Sequence, residues 1–324
     1  MSISKLLHDV SEQYHNQFNH EASAFLANRG ITLRGINKFN LGYSSPGWHN
    51  LNLLHYEKKS VIESGVIVLS DKTKTGMFDR FRNRIMFPIR DIHGRVRGFG
   101  GRSINDDSLP KYLNSPESFF FQKRKVLYGL YEGLESIKQH NEVIVVEGFF
   151  DVVSLSQNGI ENVVSTMGTA CTSAQIAKLF QYADKIVFCF DGDEAGKRAA
   201  VKALSIVVPF LTGKKTAKFV FLSDNHDPDS FIRELGVDAM QRELLRSVSV
   251  MKMIYQAVSA GCDCKICEHQ LLILHRAKSF YDNLPSGRNR ELLLRYCREA
   301  TRLSVDELLS IWDAWRQTNL CHKA

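Results

Sequence analysis

Two short apolar runs that end in carboxylates constrain this chain more than any other feature. Val143-Ile144-Val145-Val146 is a β-branched stretch that stops at Glu147-Gly148, and Lys185-Ile186-Val187-Phe188-Cys189-Phe190 stops at Asp191-Gly192-Asp193. Continuous apolar runs of this length, closed by glycine, are the pattern of strands buried on both faces of a parallel sheet. Two such strands side by side would bring Glu147, Asp191 and Asp193 to one sheet edge, the edge at which open α/β sheets hold their ligands. Helix caps and turn acids would account for either motif alone. The pair at matching strand ends asks for more, because clustered carboxylates repel one another unless a cation sits among them.

The surrounding pattern supports a parallel sheet. Helical and strand periodicities alternate as helix 150–158, strand 162–166, helix 173–182, strand 185–190, helix 194–211, strand 216–222 and a helix near 229–235. The strand 216–222 runs on into Asp227-Pro228-Asp229, in which a helix N-cap would explain Asp227 alone. Asp151, just inside the first helix, reads either as a helix-start charge or as an acid supporting the metal ligands.

From about residue 140 to 235 the chain resembles the TOPRIM domain shared by bacterial primases, type IA and type II topoisomerases and certain nucleases. That resemblance implies that Glu147, Asp191 and Asp193 bind Mg2+ (or Mn2+), with Asp227 and Asp229 contributing and Asp151 behind them. It implies metal-dependent phosphodiester chemistry without choosing among the branches of the family.

Charge distribution narrows the choice. The chain of 324 residues carries a formal net charge of +7. Between Arg80 and Lys125 eleven Lys or Arg stand against four acids, an excess equal to that of the whole chain, so the basicity belongs to one segment. Such a segment suits a phosphate-bearing partner. Within it, Arg80, Arg82 and Arg84 alternate with Phe81 and Asn83, which predicts a strand with three guanidinium groups on one face. Asp91-Ile92-His93-Gly94 supplies a turn, and Arg95 to Phe99 returns as the second arm of a hairpin. Pro110 to Pro116 is bracketed by prolines and reads as an irregular, fixed loop.

This segment resembles the catalytic core of bacterial DnaG-type primases. The resemblance rests on the run Phe78 to Ile89, on Gly98-Phe99-Gly100-Gly101-Arg102, on Lys111-Tyr112-Leu113-Asn114-Ser115-Pro116-Glu117, on Leu127-Tyr128-Gly129-Leu130 and on Val145-Val146-Glu147-Gly148, and it extends in order over most of residues 1 to 320. It implies an α/β fold in three parts: a basic mixed α/β subdomain at 1–138, a TOPRIM parallel sheet at 139–236 and a helical subdomain at 237–324. It also implies that Arg80, Arg82, Arg84, Arg102, Lys111 and Asn114 line a groove for a single-stranded DNA template and incoming ribonucleoside triphosphates. The activity implied is synthesis of short RNA primers. A replicative helicase, or a zinc-binding module acting in trans, is the implied partner.

Two further readings come from the residues alone. The first residues lack an apolar stretch behind a basic cluster and no run reaches membrane-spanning length, so a cytoplasmic protein without membrane association is expected. Seven cysteines fit a reducing compartment better than a disulfide framework. Cys262-Asp263-Cys264-Lys265-Ile266-Cys267-Glu268-His269 has the donor types for zinc, with Cys297 or Cys321 as a distant ligand, but no second Cys-x-x-Cys completes it, and an unligated loop is the expectation. The competing functions are a TOPRIM nuclease, which leaves the arginine row unexplained, and a non-catalytic nucleic-acid-binding module, which leaves the acids unexplained.

Overall fold

The computed structural model describes residues 2–70, 76–105, 109–223 and 226–321, with side chains up to residue 316. The N-terminal part begins with helices α1 (Ile3–Asn16), α2 (His20–Asn28) and α3 (Leu33–Phe39). Apolar residues recur at helical spacing from 4 to 28, but the chain forms two helices there. The break comes at Asn19, whose side chain accepts the Ala22 amide at 2.8 Å and caps α2 instead of continuing α1. Strand β1 (Gly42–Ser44), helix α4 (Lys58–Ser64), the hairpin β2 (Ile67–Leu69) and β3 (Met77–Asp79), and strands β4 (Arg84–Arg90), β5 (Val96–Ser103) and β6 (Tyr112–Asn114) follow. An antiparallel sheet of order β1-β4-β5-β6 results.

The predicted β4–β5 turn forms, with Asp91 Oδ1 accepting the amides of His93 and Arg95. The predicted strand through Arg80 to Arg84 does not. β3 ends at Asp79, β4 begins at Arg84, and between them Asn83 adopts a left-handed conformation (φ 52°). Asparagine tolerates that conformation, and here its Oδ1 accepts the Tyr43 hydroxyl at 2.7 Å. The reversal ends the period-two alternation, so the three arginines do not share a face.

The second layer alternates α5 (Leu130–His140), β7 (Glu142–Val146), α6 (Phe149–Gln157), β8 (Val163–Ser165), α7 (Ser173–Leu179), β9 (Lys185–Phe190), α8 (Glu194–Val207), β10 (Thr216–Phe221) and α9 (Pro228–Leu245), then β11 (Val248–Ser249). Its sheet has the order β11-β10-β9-β7-β8, parallel except for β11. α8 stops short of the expected residue 211, where Pro209 falls in a 3-10 turn spanning Val208–Phe210. α9 runs past the expected 235 by kinking at Gly236 (φ 81°). Helices α10 (Val250–Ser259), α11 (Cys267–Asn283), α12 (Arg288–Thr301) and α13 (Val305–Cys321) complete the chain.

The segments on either side of residues 138 and 236 share cores. One apolar cluster joins Val143, Phe188 and Phe219 of the parallel sheet to Leu274, Leu293 and Trp312 of the last helices. Another joins Phe39, Ile85 and Phe87 to Val146, Phe149 and Phe231. Gly100 makes the second union possible: a Cβ there would stand 2.2 Å from the Phe149 ring. With glycine at that position, Phe149 stacks on Phe87 at 4.8 Å and seats the start of α6 on the N-terminal sheet. The edge that carries Glu147 is therefore held against the basic segment.

Candidate active site

Glu147 follows the last residue of β7 and Asp191 the last of β9. Because β7 and β9 are adjacent and parallel, both carboxylates emerge at the same sheet edge. Asp193 caps α8, with Oδ1 accepting the Gly196 amide at 2.7 Å. Asp227, beyond the neighbouring β10, caps α9 in the same way through Ser230 at 2.7 Å. Gly192 lets the two loops meet, since a Cβ there would lie 2.5 Å from the Leu222 carbonyl oxygen and 2.6 Å from that of Ser223. The Asp-Gly-Asp spacing is thus a packing requirement as well as a pair of acids.

The acids act on one another. Burial first, and then Glu147, Asp227 and Asp193, push the Asp191 carboxyl up to about 7. Burial and the Asp193 charge raise Glu147. Asp151 is raised well above the usual carboxylate range by burial and by Asp227, although its Oδ2 accepts the Gly148 amide at 2.7 Å. A metal-free edge of this kind holds protons near neutral pH.

Asp229 lies deeper. It is 2% exposed, its oxygens accept from Ser154 and, at 2.8 Å, from Arg29, and burial still raises its carboxyl. The structure therefore gathers Glu147, Asp191, Asp193 and Asp227 at the edge and sets Asp151 and Asp229 behind them, linked by the Asp229 amide donating to Asp151 at 3.3 Å.

A pocket of about 460 Å3 separates this edge from the N-terminal sheet. Glu147, Asp191 and Asp227 line one side; Lys111, Tyr112 and Asn114 of the β6 segment face them. Asn114 Oδ1 is buried there without a hydrogen-bond partner among the described residues. Tyr112 and Phe149 stack at 6.3 Å and offer a flat apolar wall.

The arginines are used differently from the lysine. Arg84 is buried and donates to the main-chain oxygens of Gly101 (3.3 Å), Lys111 (3.1 Å) and Pro110 (2.8 Å). Arg80 donates twice to the Asn114 carbonyl, at 3.2 and 3.1 Å. Arg82 bonds the Asp79 carbonyl at 2.7 Å and lies 4.2 Å over Trp48. Arg102, 1% exposed, donates to the Ser103 carbonyl and sits over Phe25 and Tyr112. Arg80 and Arg84 hold the 110–114 segment in place, whereas Lys111 projects from it exposed.

Two cations of the pocket were not singled out in the sequence. Arg29, at the end of α2, reaches Asp229 across two hundred residues of chain and lies 4.5 Å over the Phe150 ring. Lys123 lines the same pocket, and burial lowers its pKa. A lone arginine at a helix end carries no local signal of a contact so remote in sequence.

The cysteine cluster is elsewhere, at the start of α11. Cys264 and Cys267 are exposed, Cys262 lies 3.6 Å from Arg276, and His269 Nδ1 accepts the Asp263 amide at 2.9 Å. Cys297 is buried, and the Cys321 side chain is outside the described residues.

Among the described residues no three His, Cys, Asp or Glu side chains form a closed set of metal ligands. Mg2+ does not need one: it keeps several waters, takes one or two carboxylates and fills its remaining positions from substrate phosphates. The open edge offers only oxygen donors, and their mutual repulsion is relieved by a cation, so the residues fit a hard divalent ion. No helix among the described residues is long and apolar enough to cross a membrane.

Comparison with known proteins finds a family match for each half of this pocket. Residues 10–134 match the family described as DNA primase catalytic core, N-terminal domain, and residues 144–232 match the Toprim-like family. The DNA primase of Legionella pneumophila is 35% identical over 315 residues, which cover 96% of this chain and 54% of the relative. The chain thus spans about half the length of the curated relatives it matches. A DNA primase domain from Pseudomonas aeruginosa superposes with a TM-score of 0.89 at 36% identity, covering 96% of this chain and 100% of that one. The DnaG primase catalytic domain bound to single-stranded DNA gives 0.87 at 32% identity, covering 94% and 98%. With the acid edge, the basic β6 segment and the fold that joins them all accounted for, the chain belongs to the family of bacterial DnaG-type primase catalytic cores that contain a TOPRIM domain.

Proposed function

We propose that this chain is a DNA-dependent RNA polymerase of the primase class, which makes short RNA primers on single-stranded DNA from ribonucleoside triphosphates. The observation that carries the reading is the 460 Å3 pocket itself, with acids on one wall and lysines and aromatic rings on the other. A polymerase needs both walls, one for cations and one for template and nucleotide. A nuclease needs only the first, and a binding module only the second.

In this reading Glu147, Asp191 and Asp193 bind Mg2+ (or Mn2+), with Asp227 at the same edge and Asp229 as its buried anchor. When bound, the metal activates the primer 3′-hydroxyl and neutralises the charge that develops on the leaving group. Lys111 and Lys123 attract the template phosphates and the α-phosphate of the incoming nucleotide. Tyr112 and Phe149 stack a base, and Asn114 Oδ1 accepts from a sugar hydroxyl or a base edge. Arg80, Arg84 and Arg102 act on nucleic acid through the shape of the groove, because their guanidinium groups are occupied by main chain and rings. Catalysis is then positioning and charge stabilisation, with no protein nucleophile. The cytoplasm is where template and nucleotides meet; a helicase, or a zinc-binding module in trans, would supply what the catalytic core does not.

The test is incorporation of labelled ribonucleotides on single-stranded DNA with Mg2+ or Mn2+, wild type beside Asp191→Ala. Short RNA from the wild type alone is the expected outcome. Strand cleavage without incorporation would select the nuclease, and DNA binding without either product the binding module.

A further inference from the structure

The acid edge has a pocket on each side. A second one, of about 280 Å3, lies beyond Glu147 between α8 and the loop after β8, and the only residues lining both pockets are Glu147 and Gly168. Ala195, Ala199 and Ala203, at four-residue spacing on α8, leave the space open. Arg198 and Lys202, one helical turn apart, stand exposed at its lining. Neither makes an ion pair or hydrogen bond with a described residue, although acids are close by, whereas the adjacent Lys197 is bonded to Glu194 at 2.7 Å.

In-line transfer at phosphorus puts the attacking and leaving oxygens on opposite sides of the transferred group. With primer end and template in the larger pocket, the leaving group departs across Glu147 towards the smaller one. We propose that Arg198 and Lys202 bind the β- and γ-phosphates of the incoming nucleotide and receive them as pyrophosphate, an inference that rests on the primase reading of the acid edge. The bond formed joins the primer 3′-oxygen to the α-phosphorus. The bond broken joins that phosphorus to the α,β-bridging oxygen, which leaves with the electron pair, and the hydroxyl proton passes to water. A guanidinium fork and an ammonium suit a compact anion of this charge.

The probe is inorganic pyrophosphate with Mg2+, titrated calorimetrically into the full chain. The variants are Lys202→Gln and the double change Arg198→Glu with Lys202→Glu. Lys218→Glu, an exposed site on β10 outside both pockets, controls for net charge. The double variant should bind pyrophosphate at least about tenfold more weakly. Its melting temperature and its affinity for a single-stranded DNA oligomer should match the wild type, and the inhibition constant of pyrophosphate in primer extension should rise by the same factor. Lys202→Gln should fall between.

No pyrophosphate binding by the wild type, equal binding by the double variant, or an equal loss in Lys218→Glu would each overturn the subsite. RNA synthesis accompanied by any of those results leaves the primase reading intact. Pyrophosphate binding that is lost in the double variant, in a protein that makes no RNA, would leave an anion site at Arg198 and Lys202 but overturn both the primase reading and the assignment of that site to the incoming nucleotide.

Discussion

The acid edge and the arginine-bearing sheet face each other across one pocket, and they spend their charge in opposite ways. Glu147, Asp191 and Asp227 repel one another and remain open to the pocket. Arg80 and Arg84 are consumed by the main-chain oxygens of residues 101 to 114. A carboxylate left unpaired beside others destabilises the fold and waits for a ligand. A guanidinium satisfied by carbonyls stabilises the fold and is largely withdrawn from ligands. A count of basic residues therefore overstates the charge available to a polyanion, and Lys111 and Lys123 weigh more in this pocket than the arginine row.

The contrast can be broken by four measurements. Asp191→Ala should lower primer synthesis by about a thousandfold, the scale of losing one charge-stabilising group, while the metal-free protein melts no lower than the wild type. A large loss of stability would mean that the acid is structural. Arg84→Ala should cost on the order of 3 kcal/mol in urea unfolding, since it removes three hydrogen bonds to main-chain oxygens. If stability were kept while DNA affinity collapsed, the division between acids and arginines would be reversed. Lys111→Ala should weaken single-stranded DNA binding about tenfold or less, with a shallower salt dependence and unchanged melting. The smallest effect is one of pH. The folded state holds the Asp191 proton up to about pH 7, whereas an unfolded aspartate releases it near 4. The metal-free protein should therefore lose stability as pH rises through that interval, and melt higher at about pH 6 than at about pH 8. Asp191→Asn or added Mg2+ should flatten that dependence.

The acid edge was legible because each part of it is local. Lys185 to Phe190 is a strand over those residues, and a run that ends in an acid at a strand end needs only a parallel neighbour to become half of a site. The groove was less legible. Alternation around Arg80 to Arg84 has the signature of a strand, but Asn83 turns left-handed and takes the Tyr43 hydroxyl, a contact forty residues distant. Arg29 and Asp229 meet only through the packing of α2 against α6 and α9, to which no short window of sequence points. β11, two residues long, is too short for any periodicity to register. Charge, in short, is readable from sequence at the sites where backbone direction presents it, and unreadable where a long side chain chooses among remote carbonyls.

β11 also bears on solubility. The strand before it, β10, would otherwise leave the parallel sheet with an open row of amides and carbonyls, an invitation to pair with another molecule. Two residues running antiparallel cover part of that row, and at the opposite edge the Tyr128–Ser165 bridge does the same for β8. Deleting either closure should show first as concentration-dependent association, well before any change at the acid edge.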